Sequence, residues 1–302
     1  MYDSEPEKDK DTVKRISLAT GTGRRRRVVD KAMTGLVLLA VALAVTPLVL
    51  ILGVVVLRGA PVMSLSFLTN LPRPVGVPGG GIANALFGSF IMVGIAALIA
   101  VPIGVGAGIF FSEWPESRLS TVSSFTNDVL AEFPSIVIGI FVYVIIVLST
   151  KTFSALAGAV ALSIIMMPII ARTTEESLKL VPMTLREASM ALGVSRWRTV
   201  IKVVIGTGKS GLITGILLAV ARAAGETAPL ILTALGSVYF PTSLNQPTAA
   251  LPLLIYTYAI SPFKDWQAQA WGAALILIAI MFVLNLSIKL FIGRRSVVRA
   301  ET

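Results

Sequence analysis

Six long apolar runs decide what this chain can fold into. They lie at about 32–57, 83–111, 129–148, 154–171, 208–235 and 271–292. A helix needs about 20 apolar residues to cross the hydrocarbon of a bilayer. Five runs meet that length comfortably; the fourth is short and ends near Pro168. Inside a bilayer every backbone polar group needs an internal partner, which leaves only helices and closed barrels. The runs are continuous and lack the alternating ten-residue segments of barrel strands. The expected fold class is therefore all-α and integral to the membrane, with six transmembrane helices. Composition agrees: 14% of residues are charged, against about 25% in soluble domains.

The segments outside the runs complete the outline. Residues 1–31 are polar, end in Arg24-Arg25-Arg26-Arg27, and read as a disordered basic tail anchored at the membrane surface. The run that follows is too long for a signal peptide and lacks a small-residue cleavage site. A single transmembrane domain is expected over 32–293, followed by a short cytoplasmic tail at 294–302. Residues 58–82 and 236–270 are rich in Pro, Gly and Thr and are expected as external loops or re-entrant segments.

The net charge of +10 does not indicate a nucleic-acid partner, because the basic residues sit in short segments between apolar runs. Twenty Lys and Arg flank the runs on one side and four on the other (Arg58, Arg73, Lys151 and Lys264). The positive-inside rule then puts both termini in the cytoplasm of a multi-pass plasma-membrane protein, which six crossings satisfy. With no Cys and no His, disulfides, thiol nucleophiles, imidazole catalysis and most zinc or haem sites are excluded.

The internal segment 172–207 has a helical pattern. Thr184, with Glu187 three residues on and just after Pro182, has the form of a capping box. Gly193 suits a helix end, and a second helix is expected from about Ser195 to Val204. Together they predict a helix-turn-helix on the membrane surface, either a plain connector or a dock for a soluble partner. Gly206-Thr207-Gly208-Lys209-Ser210 has the look of a phosphate-binding loop, but Val203 stands where that motif needs Gly. The chain is expected to have no nucleotide site of its own.

Glu187-Ala188-Ser189, then Gly193, then Val203-x-Ile205 resembles the EAA loop of ABC importer permeases; the family's closing Pro is Gly206 here. The resemblance implies that Arg186, Glu187, Ala188, Leu192 and Gly193 serve coupling to an ATPase.

A charged pair interrupts the fifth run. At about 1.5 Å per residue, Arg222 lies roughly 20 Å from the run's cytoplasmic end, and Glu226 follows one helical turn later. An Arg at mid-membrane costs about 2.5–3.5 kcal/mol, and intramembrane ionisable groups usually mark a pathway. The plain alternative is an ion pair that only allows both residues to insert. A guanidinium suits an oxyanion. A neighbouring carboxylate accepts a hydrogen bond from an anion that retains a proton, as hydrogen phosphate does and sulfate does not. Gly211, Gly215, Ala219 and Ala223 form a small-residue stripe beside the charged face, suited to close helix packing.

Ala221-Arg222-Ala223-x-Gly225-Glu226-Thr227-Ala228-Pro229 resembles phosphate-specific (Pst-type) permeases, A-type subunit. Phe133-Pro134-Ser135-Ile136-Val137-x-Gly139, Gly80-Gly81-Ile82, Pro102-Ile103-Gly104 and Leu251-Pro252-x-x-Ile255-Tyr256 extend the match over about 79–275. The resemblance implies a non-catalytic subunit with Arg222, Glu226, Thr227 and Ser135 along the substrate pathway. Glu132 stands at the inner gate or in interfacial water. The implied partners are a related C-type permease, an ATPase dimer carrying ATP and Mg, an external phosphate-binding protein and membrane lipids. Permeation of sulfate or molybdate, an ion-coupled secondary transporter and a membrane enzyme are the competing readings.

Overall fold

The computed structural model describes residues 20–297 apart from Pro78, with side chains from Arg25 to Leu286. Its elements are helices, and among the described residues the only β pairing is a bridge between Leu235 and Thr248. Five helices are long and apolar enough to cross a membrane, and a sixth crossing arises if one bent pair counts as a single span.

The first unit, up to Val56, holds most of helix α1, Thr20–Gly59. Leu36, Leu39, Leu43 and Leu50 are exposed around this helix, as expected where lipid is the solvent. The stretch from Thr20 to Lys31, expected as tail, is helical; residues 1–19 lie outside the described residues.

The second unit starts at Leu57. It contains α2, Leu65–Thr69; α3, Ala83–Glu113; α4, Arg118–Glu132; α5, Ser135–Thr150; and α6, Ala155–Lys179. Helices α7, Met183–Ala191; α8, Arg196–Ala224; α9, Ala228–Thr233; α10, Leu251–Ala259; and α11, Lys264–Val297 complete it. Residues 294–297 thus continue the last helix, and 298–302 lie outside the described residues.

Helix α6, the shortest run in sequence, is the most buried of the candidate spans. Ser154 starts it by accepting a hydrogen bond from the Ala157 amide, 3.1 Å. Its far end extends beyond the expected limit of 171 because Arg172, Glu175, Glu176 and Lys179 pair along the helix, with Lys179 Nζ 2.5 Å from Glu175 Oε1. Lipid offers no hydrophobic drive for helix association, so fit and close approach hold the bundle. Helix α3 approaches α6 through Gly108, where an added Cβ would lie 2.6 Å from Thr174 Cβ. Helix α8 approaches its other side through Gly215, where a Cβ would lie 2.5 Å from Thr173 Cβ. The expected small-residue stripe is therefore a packing seam, with Ala219 and Ala223 fully buried in the same core.

Two expected spans are interrupted. The run at 129–148 is not one straight helix: α4 and α5 meet at Phe133-Pro134 at 103°, because proline lacks an amide and excludes helical geometry from the residue before it. The run at 208–235 also breaks. Helix α8 ends at Ala224, and α9 restarts at Ala228 with Pro229 in its first turn. The segment after α9 is tied down by the Asn84 amide on Ser237 O, 2.5 Å, and by the Leu251 amide on Ser89 Oγ, 2.7 Å. Helix α10 lies within it, and Tyr258 stacks on Trp266 with ring centroids 4.5 Å apart.

Candidate functional site: a charged helix break and a short exposed helix

Arg222 stands in the last turn of α8 and Glu226 in the non-helical link before α9. One uninterrupted helix was expected to carry both. The break leaves them paired all the same: Arg222 Nε lies 3.7 Å from Glu226 Oε1. The Arg222 side chain is 56% exposed and Glu226 17%. Among the described residues, the Arg222 guanidinium makes no hydrogen bond. Thr227 is half-buried, and its carbonyl accepts the Leu230 and Ile231 amides, which starts α9.

The second interruption opens beside the first. Gly139 of α5 packs on Pro229 of α9, so that a Cβ at Gly139 would lie 2.8 Å from Pro229 Cα. Ser135 precedes Gly139 by one turn, and Thr227 precedes Pro229 by two residues. Both breaks therefore fall within about one turn of the same contact. Ser135 is half-buried and makes no hydrogen bond to Arg222, Glu226 or Thr227 among the described residues, while Glu132 is exposed.

Arg172, also charged and at the end of an apolar run, differs in kind. It pairs with both Glu175 and Glu176, at 3.3 and 3.1 Å. Two carboxylates within reach leave it little capacity for an anion, whereas Arg222 has one loose partner.

The segment 172–207 departs from the expected helix-turn-helix in two ways. Pro182 is the N-cap of α7, with no side-chain cap, so the Thr184–Glu187 capping box does not form; the fixed φ of Pro182 starts the helix one residue before Thr184. The helix expected at 195–204 is not separate but the first turns of α8, continuous through a π turn at Val200–Val204. Gly206 to Ser210 are accordingly helical. The turn itself is as expected: Gly193 has φ +79° and donates to Met190 O at 2.9 Å.

Glu187, Ala188 and Gly193 are exposed, and Leu192 is 85% exposed. Arg186 instead turns inward and pairs with Glu113, the last residue of α3. Its second terminal nitrogen donates to Leu178 O, 2.8 Å. Arg196 donates to the Glu113 carbonyl at 2.7 Å and lies over the Trp114 ring, 5.2 Å from its centroid. Ser189 and Thr199 join α7 to α8 at 2.9 Å. Sequence reading missed Glu113, Trp114 and the part Arg196 plays. The signal available was a lone carboxylate closing an apolar run.

An all-helical membrane unit with broken spans that carry an ionised pair is the membrane-embedded subunit of a transporter. The model of the family described as binding-protein-dependent transport system inner membrane component matches residues 100–297, and the chain belongs to that family. The phosphate transport system permease protein PstA of Haemophilus influenzae is 43% identical over 267 residues, 88% of this chain and 94% of its own. Its counterpart in Yersinia pestis is 43% identical over 249 residues, 82% and 84%. PstA 1 of Mycobacterium tuberculosis H37Rv is 39% identical over 274 residues, 87% of each chain. The fold is similar to that of an inward-facing MetNI methionine ABC transporter, with a TM-score of 0.60 over 70% of this chain and 95% of that one, at 17% identity.

Proposed function

We propose that this chain is the A-type permease subunit of an ATP-driven phosphate importer. In this reading it forms half of the translocation pathway and carries no catalytic site. The observation that carries the proposal is the Arg222 guanidinium: exposed, loosely paired, and set at an interruption of a membrane helix. Two parallel N–H donors match two oxygens of an oxyanion. Glu226, one contact away, accepts a hydrogen bond from the P–OH that hydrogen phosphate retains and repels an anion that has none to donate. The names of the relatives support phosphate as the cargo.

Exposure on the isolated chain fits a pathway shared with a second, C-type permease. Thr227 and Ser135 would border it, because the two interruptions open beside one contact. At the expected cytoplasmic face, Met183, Leu192 and Trp197 are exposed. An ATPase cleft receiving α7 would bury them. ATP and Mg would then belong to the ATPase dimer, and an external phosphate-binding protein would deliver the anion. Both termini would lie in the cytoplasm, following the Lys and Arg asymmetry.

The test is uptake into liposomes holding the chain with its second permease, ATPase and binding protein. ATP-dependent accumulation of labelled phosphate, with sulfate and molybdate excluded, is expected. Accumulation of sulfate or molybdate instead, or uptake driven by an ion gradient without ATP, would overturn the assignment.

A further inference from the structure

We infer that Glu113 and Arg186 form a latch through which α7 moves α3, which makes Glu113 a positioning residue in energy coupling. The inference rests on the coupling role proposed for α7 above.

Chain connectivity joins α7 directly to α6 and α8 only, through the short links between Lys179 and Met183 and between Ala191 and Arg196. Nothing covalent ties it closely to α3. The tie is electrostatic. The Arg186 guanidinium reaches the Glu113 carboxylate with one nitrogen and Leu178 O, at the end of α6, with the other. Arg196, at the base of α8, holds the Glu113 carbonyl and covers Trp114. The cytoplasmic ends of three spans therefore meet on one buried pair, whose side chains are 12% and 5% exposed.

The apolar cluster of Leu178, Val181, Val204 and Leu212, with Val105 and Ile109 of α3 against it, packs α3 on α6 and α8 and includes no residue of α7. A cavity of about 570 Å³, lined by Glu113, Met183, Arg186, Arg196 and Val200 among others, lies beside the pair. Across that space α7 is held to α3 by directed charge rather than by interdigitated apolar side chains. Apolar groups of similar volume often stabilise a fold as well as a buried ion pair does. A forked guanidinium adds direction: it fixes both the distance and the angle between the elements it joins.

The experiment has two arms. In the first, a nitroxide is placed on Leu192→Cys in the full solubilised chain, whose sequence has no other cysteine. Glu113→Gln is expected to raise the label's mobility while the thermal transition of the chain persists. Unchanged mobility would overturn the latch. In the second arm, with Leu192 native, phosphate imported per ATP hydrolysed is measured in the reconstituted importer for the parent, Glu113→Gln and the apolar pair Glu113→Leu/Arg186→Met. Both variants are expected to bind the ATPase and hydrolyse ATP, with the ratio at least fivefold lower. If the apolar pair keeps the parent's ratio, the charges only stabilise the fold and the inference fails. If the parent itself shows no ATP-driven uptake, the importer assignment fails, and the label arm alone judges the latch.

Discussion

Arg222 Nε and Glu226 Oε1 are 3.7 Å apart across the end of a helix, in a pair whose cation is more than half exposed. A pair that served only to permit insertion would be expected to close tightly and turn inward. This one stays loose and presents its donors outward.

Arg222→Ala is expected to insert at parental levels, because it removes a cation that is costly in hydrocarbon. Uptake should fall about 100-fold, since charge-assisted hydrogen bonds contribute about 1.5–3 kcal/mol each. Arg222→Lys should recover little, because an ammonium cannot reproduce the planar fork. Phosphate uptake at matched expression checks both, and a fully active Arg222→Ala would remove the pair from the pathway.

Glu226→Gln separates selectivity from rate. The amide can donate as well as accept, so an anion without a proton is no longer refused. The expected outcome is a larger loss in the ratio of phosphate to sulfate transport than in phosphate transport itself. Competition uptake with both labelled anions measures it.

Gly193→Val places a β-branched residue at φ +79°, a left-handed conformation that costs L-residues about 1–2 kcal/mol. Membrane insertion should be unaffected, while retention of the ATPase on purification drops several-fold. Unchanged retention would make the turn a connector and nothing more.

Gly215→Val and Gly94→Ala form a contrast in packing. A Cβ at Gly215 overlaps Thr173, whereas one at Gly94 meets nothing within 4 Å. The first should destabilise the bundle by about 1–3 kcal/mol, read as a lower thermal transition in detergent. The second should leave the transition unchanged or slightly raised, because Ala favours helix over Gly by about 1 kcal/mol.

How much of this was legible depended on distance along the chain. Apolar runs located the spans, and Gly193 announced its turn, because each signal is local. The extension of α6 to Lys179 was hidden because a hydropathy run stops at charge, while Arg172, Glu175 and Lys179 neutralise one another along the helix and let it continue. The Thr184–Glu187 spacing misled because Pro182 had already set the helix start. Pro134 and Pro229 are both plain in the sequence. Their effect is not, since a hydrophobicity pattern is blind to a bend between two apolar stretches. Glu113 and Arg186 are 73 residues apart. No periodicity spans that separation, and only the close approach of α3 and α6 brings the two together.

The interruption between Ala224 and Ala228 has one more consequence. A helix end leaves its last carbonyls, and the next helix its first amides, without intrahelical partners. Hydrocarbon supplies none, so such groups persist in a bilayer only against protein or water. At Arg222, therefore, this face of the chain cannot meet lipid. Protein or water must stand there instead, so the break at Arg222 is a face that a neighbouring subunit or solvent has to complete.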